Sequence, residues 1–398
     1  MMIARQEYLE NLIRFRDKQL IKVITGIRRC GKSTLFELYQ EYLLSSGATS
    51  EQIISLNLED GDYADIMTHT DLYQYVKRRL LPDKMNYVFL DEVQRVPEFQ
   101  KAVDSLYVKK NADVYITGSN ASLLSGELAT LLSGRYVEIK MLPLSFKEYV
   151  STFPAQSNIE RLYLNYTVNS SFPYTLALSK QKDIKQYLEG IYDSIVLKDI
   201  VARKKFQDVA MLQSVMRFMF DNIGNLTSTK KIADTMTSAG RNISVHTVES
   251  YLTALTDSFI FYKIGRYDVK GKRYLKTGDK YYTADIGLRY YLLGTKKADD
   301  GHILENIVFL ELLRRGYEVY IGKVGNTEVD FIAIGEEGEE YYQVAYTVKG
   351  SEETLRRELS PLEAVSDHNP KYLLTMDHTP LTSHNGIKQI NVLDWLLK

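Results

Sequence analysis

The chain has 398 residues, enough for two or three domains, and its 50 Lys and Arg side chains nearly balance 51 Asp and Glu. This near-neutral charge argues against a strongly electrostatic nucleic-acid-binding protein, although a local basic patch is compatible with it. The single cysteine, Cys30, excludes an internal disulfide framework and favours a reducing compartment. No apolar run approaches the roughly 18 residues of a membrane helix, and the N-terminus lacks the apolar core of a signal peptide. We therefore expect a cytoplasmic protein without a membrane segment.

Residues 26–33 read Gly-Ile-Arg-Arg-Cys-Gly-Lys-Ser, which completes the G-x-x-x-x-G-K-S pattern of a phosphate-binding loop. The apolar run 20–24 predicts a buried strand before the loop, and 33–42 predicts a helix after it. In that setting successive N–H groups converge on an anion at the helix N-terminus, Lys32 reaches the terminal phosphates of ATP, and Ser33 ligates Mg²⁺. A chance match in a glycine-containing turn is the weaker alternative. The predicted nucleotide-binding residues are Gly26, Arg29, Cys30, Gly31, Lys32, Ser33 and Thr34.

Three loop side chains carry further expectations. Arg28 and Arg29 are expected to face outward, as side chains within such loops more often do, and they receive no catalytic role. Because Cys30 lies inside the loop, bulky alkylation of its thiol is expected to block nucleotide binding.

Two further strands are predicted to end in polar residues. The apolar run 87–90 is followed by Asp91 and Glu92, which predicts a buried parallel strand with acids at its carboxyl end. Ligands bind at that edge of a doubly wound sheet, so Asp91 is the candidate Mg²⁺ carboxylate and Glu92 the candidate general base for water. A solvated acidic turn is the alternative. Strand 113–120 ends in Asn120, a candidate hydrogen-bond partner of the lytic water or the γ-phosphate.

Residues 53–58 predict another strand between the loop and Asp91. An inserted strand together with a glutamate after the Asp resembles the ATPases that use a dedicated catalytic glutamate, and differs from the small-molecule kinases. Hydrolysis of ATP is therefore favoured over phosphoryl transfer to a metabolite.

The chain resembles the bacterial and archaeal AAA-type ATPases whose C-terminal half is a poorly characterised, restriction-endonuclease-like domain. The resemblance covers nearly the whole chain and implies ATP binding and hydrolysis, without indicating a biological role. The stretches that carry it are 26–34, 90–94, 117–120, 134–135 and 143–149 in the first half, and 282–289, 305–306, 328–331 and 342–344 in the second.

Arg135 has two interpretations that the sequence leaves open. It is a candidate for contact with the γ-phosphate, in the same chain or from a neighbouring subunit of a homo-oligomer, because a positioned arginine accelerates phosphoryl transfer greatly. The other interpretation is a strand-end arginine that is paired with an acid.

The middle of the chain has helical spacing. Residues 146–205 fit the small helical lid that follows the core in AAA-type enzymes. Two helices at 227–237 and 244–255 precede a hairpin of 259–263 and 272–276, which is the order of a winged helix. The hairpin region 263–280 carries an excess of five positive charges and predicts non-specific DNA contact. The other interpretation is packing or contact with a protein, and it is slightly favoured because the second helix exposes no Arg or Lys to read a base.

The C-terminal region predicts the order α-β-β-β-α-β, which resembles the core of the PD-(D/E)XK nucleases. Glu305 and Asp330 match the first two acidic positions, but Gln343 and Ala345 replace the acid and lysine of the third. Lys349 lies roughly 13 Å further along the strand, and Lys323 is only a remote substitute. We therefore expect a vestigial nuclease site of Glu305, Asp330 and Gln343, with nuclease activity unlikely.

The predicted fold is α/β, with a doubly wound parallel P-loop sheet, a helical lid, a winged helix and a degenerate nuclease-like domain. The predicted boundaries are 1–145, 146–205, 206–292 and 293–398. Three functions follow in order of preference: a Mg²⁺-dependent ATPase that couples nucleotide state to a nucleic-acid- or protein-binding module, a slowly hydrolysing ATP switch, and an ATP-regulated nuclease.

Overall fold

The computed structural model describes residues 3–121, 132, 134–294, 299–378 and 382–398. The chain divides into two compact units, which are described separately. Unit 1 comprises Met1–Pro143 and Asp257–Phe259, and unit 2 comprises Leu144–Thr256 and Ile260–Lys398. Among the described residues, the helices are all too short or too polar to cross a membrane.

Unit 1 is built on a five-stranded parallel sheet in the order β2-β3-β4-β1-β5. Strands β1 and β3 are buried along their whole length, as expected for parallel strands that read as continuous apolar runs. This sheet confirms the predicted α/β fold. The elements are α1 (Gln6–Arg14), β1 (Ile21–Thr25), α2 (Lys32–Ser45), β2 (Ile53–Asn57), α3 (His69–Lys77), β3 (Asn86–Asp91), α4 (Phe99–Tyr107), β4 (Ala112–Gly118) and β5 (Tyr136–Lys140).

The strand order decides which loops meet. Strand β4 lies between β1 and β3, with Thr25 in register with Gly118 and Leu90 with Ile116. All the strands are parallel, so their carboxyl ends share one edge of the sheet. The phosphate-binding loop after β1, the acids at the end of β3 and the polar residues after β4 therefore lie at that edge.

Unit 2 contains an eight-stranded mixed sheet in the order β12-β13-β11-β10-β9-β8-β6-β7. Its helices are α5 (Phe146–Val150), α6 (Ile159–Asn169), α7 (Gln181–Ser194), α8 (Val209–Asp221), α9 (Thr229–Ser238), α10 (Val245–Asp257), α11 (Ile286–Leu293), α12 (Asp300–Arg314), α13 (Glu352–Glu363) and α14 (Val392–Leu396). A π-helix, Ile195–Val201, and a helical turn, Ala202–Lys204, continue α7. The strands are β6 (Phe261–Asp268), β7 (Arg273–Thr283), β8 (Glu318–Val324), β9 (Thr327–Gly335), β10 (Gly338–Ala345), β11 (Lys371–Thr375), β12 (Thr382–His384) and β13 (Ile387–Asn391).

The predicted α-β-β-β-α-β order is present as α12, β8, β9, β10, α13 and β11. The hairpin of β6 and β7 is longer than predicted, and β6 pairs in parallel with β8, so that Arg266 lies opposite Ile321. The hairpin is therefore the edge of the C-terminal sheet, which extends across the predicted boundary at 292. The identification of a lid, a winged helix and a nuclease-like domain stays a prediction.

A buried ion pair lies beneath the sheet of unit 1. The ammonium of Lys22 on β1 contacts the carboxylate of Asp113 on β4, and both side chains are almost completely buried. Tyr115 donates a hydrogen bond of 2.7 Å to the same carboxylate. Burial lowers the pKa of Lys22 and raises the pKa of Asp113, and the partner's charge opposes the shift in each case. The two charges therefore depend on each other.

We predict that Asp113→Ala lowers the free energy of unfolding by about 3–5 kcal/mol, because it leaves the buried Lys22 ammonium without its counter-ion. The double variant Lys22→Met with Asp113→Leu should recover most of that loss. Urea denaturation measures both. Lys101→Ala, which removes an exposed pair with Glu98, is the control and should cost at most about 1 kcal/mol. Equal losses in the single and double variants would contradict the prediction.

Candidate nucleotide-binding site

Two glycines shape the loop between β1 and α2. Gly26 has φ 153°, and a Cβ placed there would lie 2.1 Å from the carbonyl oxygen of Met141, so no other residue fits. Gly31 has φ 106° and lies immediately before the first turn of α2. The loop therefore passes close to the backbone after β5 and leads into a helix N-terminus, where N–H groups attract an anion.

Lys32 places a buried cation over this loop. Its Nζ donates hydrogen bonds of 3.0 Å to the carbonyl oxygen of Gly26 and 3.3 Å to that of Ile27, and lies 3.8 Å from Oε1 of Glu92. In the same turn of α2, Ser33 is exposed and Thr34 half-buried. The structure thus brings the predicted lysine, the predicted Mg²⁺ hydroxyl and the predicted base to one edge of the sheet.

The acids at the end of β3 are held by the neighbouring strand. The hydroxyl of Thr117 donates a hydrogen bond to Oδ1 of Asp91 and accepts one of 2.9 Å from the backbone N–H of Glu92. The Oε2 atom of Glu92 accepts hydrogen bonds from Ser119, at 3.3 Å, and from the amide of Gln94. Both acids are at least nine-tenths buried. The two hydrogen bonds to the Glu92 carboxylate and the one to the Asp91 carboxylate fix the orientation of both acids.

Asn120 is 3 % exposed and follows Ser119 directly at the end of β4. It therefore lies at the same edge as Asp91 and Glu92, where the sequence places it. The sequence singled out Asn120 among the polar residues at the end of this strand, and did not predict that Thr117 would contact both acids. A hydroxyl at the end of the strand that separates β1 from β3 is the signal that identifies Thr117.

The arginines of the loop behave differently from each other. Arg29 is exposed, as expected. The expectation for Arg28 was wrong, because its side chain is only 12 % exposed and lies 3.3 Å from Oε1 of Glu59, which also binds Arg95 at 2.8 Å. Burial acts to raise the pKa of Glu59, but the hydrogen bond from Arg95 and the charge of Arg28 outweigh it and lower that pKa. This bridge ties the loop to the segments that follow β2 and β3.

Arg135 lies at the other edge of the sheet. Its carbonyl oxygen accepts a hydrogen bond of 2.8 Å from Ile21, the first residue of β1, whereas the loop follows the last. The five residues of β1, at ~3.3 Å each, separate the edge beside Arg135 from the edge that carries the loop, and this distance exceeds the length of an arginine side chain. The guanidinium instead pairs with Asp104 and lies 5.4 Å from the ring centre of Tyr107. The prediction that Arg135 contacts the γ-phosphate in the same chain was therefore wrong. Its action on a neighbouring subunit stays a prediction.

In unit 2 the three residues of the predicted vestigial site lie close to one another. The carboxylate of Asp330 on β9 accepts a hydrogen bond of 2.9 Å from the backbone of Val344, and its own N–H donates one of 3.3 Å to Gln343. The amide of Gln343 donates to Glu358 at 3.0 Å. Burial and the negative charge of Glu305 on α12 raise the pKa of Asp330 well above its usual value.

Lys280 on β7 completes this cluster. Its Nζ lies 3.1 Å from Oε1 of Glu305 and 3.0 Å from Oε1 of Glu328, and the hydroxyl of Tyr282 also donates to Glu305. Burial acts to lower the pKa of Lys280, but the charges of Glu305, Asp330 and Glu328 outweigh it and raise that pKa. The sequence suggested that no lysine was within reach. The expectation that the acids have no lysine nearby was wrong, because Lys280 reaches them from another strand, β7.

Further ion pairs change the interpretation of the basic hairpin. Lys263 pairs with Asp279 at 2.9 Å, Arg273 with Asp268 at 3.4 Å, and Arg266 lies 3.8 Å from Glu328. With Lys280 buried among acids, four of the seven basic residues counted along the hairpin have acidic partners. Two of those acids, Glu305 and Glu328, lie outside the hairpin. Within the described residues, no group of three His, Cys, Asp or Glu side chains is arranged to hold a metal ion.

Comparison with known proteins places these observations in a family. A family model described as an AAA domain matches residues 18–150, and a domain of unknown function matches 160–299. A Haemophilus influenzae protein described as uncharacterized is 44% identical over 100% of this chain and 99% of its own length. An uncharacterized Methanocaldococcus jannaschii protein is 31% identical over 87% of this chain and 79% of its own. The chain belongs to the same family as these two relatives, and its residues 18–150 match the AAA domain.

A solved structure is similar to this chain in fold. The Walker-type ATPase of Pyrococcus abyssi aligns with a TM-score of 0.51 at 15% identity, over 73% of this chain and 95% of that one. At this identity the likeness concerns the fold alone. It agrees with the parallel sheet of unit 1, whose loop, lysine and acids have the chemistry for the phosphates and Mg²⁺ of a nucleotide.

The thiol of Cys30 in the phosphate-binding loop is completely buried, and burial raises its pKa. Since the thiolate is the reactive form, we predict that a small disulfide reagent modifies native Cys30 at least about tenfold more slowly than the unfolded chain. A variant with Cys30→Ala and Ser33→Cys, whose only thiol replaces an exposed hydroxyl, should react quickly. Equal native and unfolded rates for the unaltered chain would show that Cys30 faces solvent.

Proposed function

We propose that unit 1 binds ATP with Mg²⁺ and hydrolyses it, and that nucleotide state is coupled to unit 2. The observation that carries this proposal is the contact of Lys32 with Glu92 at 3.8 Å, on an edge where Asp91 is fixed by Thr117. A phosphate-binding cation, a metal-binding acid and a buried base in this arrangement match the requirements of nucleotide hydrolysis.

The residues divide the work by their chemistry. The N–H groups from Gly26 to Thr34 and the ammonium of Lys32 bind the phosphates, and the Ser33 hydroxyl and Asp91 carboxylate would hold Mg²⁺. In this position the metal would supply positive charge to neutralise the charge that develops on the phosphates. Glu92 accepts the proton of the attacking water. Hydrogen bonds from Ser119 and Gln94 fix the orientation of this carboxylate.

For the partner of unit 2, a protein is favoured over DNA. A phosphate backbone is bound by Lys and Arg side chains whose charge is not already neutralised. Most of the described basic side chains of the hairpin already pair with acids, so the positive charge available to DNA is smaller than the sequence predicts. Non-specific DNA contact is the alternative. A slow ATP switch, in which hydrolysis only resets the bound state, is the alternative to a working ATPase.

We predict that Lys32→Ala abolishes ATP binding, because it removes the cation that faces the phosphates. Glu92→Gln should retain binding and lose at least about a hundredfold in turnover, since the amide cannot accept the proton. Steady-state phosphate release and equilibrium binding of ATP measure the two effects. Lys101→Ala, which removes an exposed lysine outside the site, is the control and should leave binding and turnover unchanged.

The same assay separates the alternatives when duplex DNA is included. Turnover that DNA stimulates and that Glu92→Gln loses would favour DNA as the coupled partner. Turnover indifferent to DNA would support a protein partner. Negligible turnover, together with a stabilisation of about 2.7 kcal/mol when ATP is at a hundredfold excess over its Kd, would favour the switch. An absence of ATP binding by the unaltered protein would contradict the proposal.

We also propose that the cluster around Lys280 is a structural ion cluster and that unit 2 is not a nuclease. Lys280 and Glu305 have side chains only 7 % and 9 % exposed, so a DNA phosphate has no access to them. The ammonium takes up the charge of the acids that a metal ion would otherwise neutralise. Breaking such a buried pair is costly because it leaves uncompensated charges in a medium of low dielectric constant.

We predict that Lys280→Met lowers the free energy of unfolding by about 3–5 kcal/mol, and that millimolar Mn²⁺ restores part of this loss by taking the place of the ammonium. The unaltered protein should show no change in Tm with Mn²⁺ and no cleavage of DNA. Lys263→Met, on the same hairpin but with an exposed pair, should have little effect. Mn²⁺-dependent DNA cleavage that Asp330→Asn abolishes would instead establish a working nuclease site.

A further inference from the structure

Arg5 is a buried arginine at the start of α1 to which the sequence gave no role. Its residue is 3 % exposed, and its backbone has φ 45°, a left-handed conformation that is uncommon for a residue with a side chain. Burial of the charged side chain and the left-handed backbone each cost free energy. A structure retains such features where local contacts compensate for that cost. Two side-chain hydrogen bonds of Arg5 lie within unit 1, and one of them reaches the phosphate-binding loop.

The guanidinium of Arg5 joins two backbone segments. Its Nη1 donates a hydrogen bond of 3.0 Å to the carbonyl oxygen of Cys30, and its Nη2 donates one of 2.6 Å to that of Leu142. The guanidinium also lies 4.9 Å from the ring centre of Tyr8, whose hydroxyl accepts a hydrogen bond of 3.1 Å from the N–H of Leu142. The first turn of α1 therefore holds the loop against the segment that follows β5.

The contact with Cys30 determines more than the position of the loop. The carbonyl of Cys30 and the N–H of Gly31 belong to one planar trans peptide, so they point in opposite directions. A donor that fixes the carbonyl on the protein side therefore fixes the N–H on the other side, where the loop binds its anion. The hydrogen bond also polarises the peptide and strengthens that N–H as a donor.

We propose that Arg5 is a positioning residue for the nucleotide phosphates, acting through the Cys30 carbonyl to orient the N–H of Gly31. This inference rests on the proposed binding of ATP at the loop. The two hydrogen bonds use separate nitrogens of one planar group, which a lysine cannot reproduce, so Arg5 is required for its fork as well as for its charge.

The test compares Arg5→Met and Arg5→Lys with the unaltered protein. Arg14→Met is the control, because Arg14 is on the same helix and its guanidinium binds only Asn11 in that helix among the hydrogen bonds described. We expect Arg5→Met to weaken ATP binding and raise the KM for ATP about tenfold, the effect of one charge-assisted hydrogen bond. Arg5→Lys should recover part of the affinity, and Arg14→Met should match the unaltered protein.

Two further readouts separate positioning from general destabilisation. Loss of folded protein lowers kcat without changing KM, whereas a misoriented loop raises KM while kcat stays within about threefold. The rate of Cys30 modification, measured well below Tm, should rise in Arg5→Met, because the carbonyl of that residue is no longer held. If Arg5→Met fails to fold, the KM of Arg5→Lys decides, and a value equal to that of the unaltered protein overturns the inference.

The outcomes also distinguish the inference from the function on which it rests. ATP binding by the unaltered protein, with the same Kd and KM in Arg5→Met, would overturn the role of Arg5 and leave the ATPase intact. No ATP binding by the unaltered protein would overturn both. A rise in KM with partial rescue by Arg5→Lys would support both.

Discussion

The hydroxyl of Thr117 donates a hydrogen bond to Asp91 and accepts one from the backbone of Glu92, and the arrangement of the whole site depends on this contact. It is available only because β4 lies between β1 and β3 in the sheet. In the sheet, β4 and not the strand at 53–57 separates the strand that carries the loop from the strand that carries the acids, and the polar residues at the end of β4 lie between the two. One hydroxyl thus fixes the candidate metal ligand and the candidate base with respect to each other.

Local patterns in the sequence were sufficient for much of the unit 1 site. Glycines at 26 and 31 have conformations that require glycine, and the apolar runs before the loop and before Asp91 became buried parallel strands. These features depend on residues that are adjacent in the chain. The site residues inferred from them, Lys32, Asp91 and Glu92, are brought together because parallel strands end at one edge.

The sequence was insufficient where a residue's role depends on a distant partner. Arg135 precedes a parallel strand, so the topology puts it at the edge opposite the loop, beside Asp104. Lys280 was counted as part of a basic surface, yet it is neutralised by acids from α12 and β9. Arg5 reaches the loop across 25 residues of chain to bind a backbone carbonyl, which no side-chain pattern marks. Each of these outcomes follows from packing between segments that are far apart in sequence.

Lys32 and Lys280 show how burial and partners decide what a lysine can do. Both are nearly buried and both approach a glutamate. Lys280 lies between the carboxylates of Glu305 and Glu328 at about hydrogen-bond distance, so its charge is already compensated. Lys32 instead donates to neutral loop carbonyls, and Glu92 is 3.8 Å away. The charge of Lys32 is therefore less fully compensated, and it is the lysine with the capacity to attract the phosphates of a nucleotide.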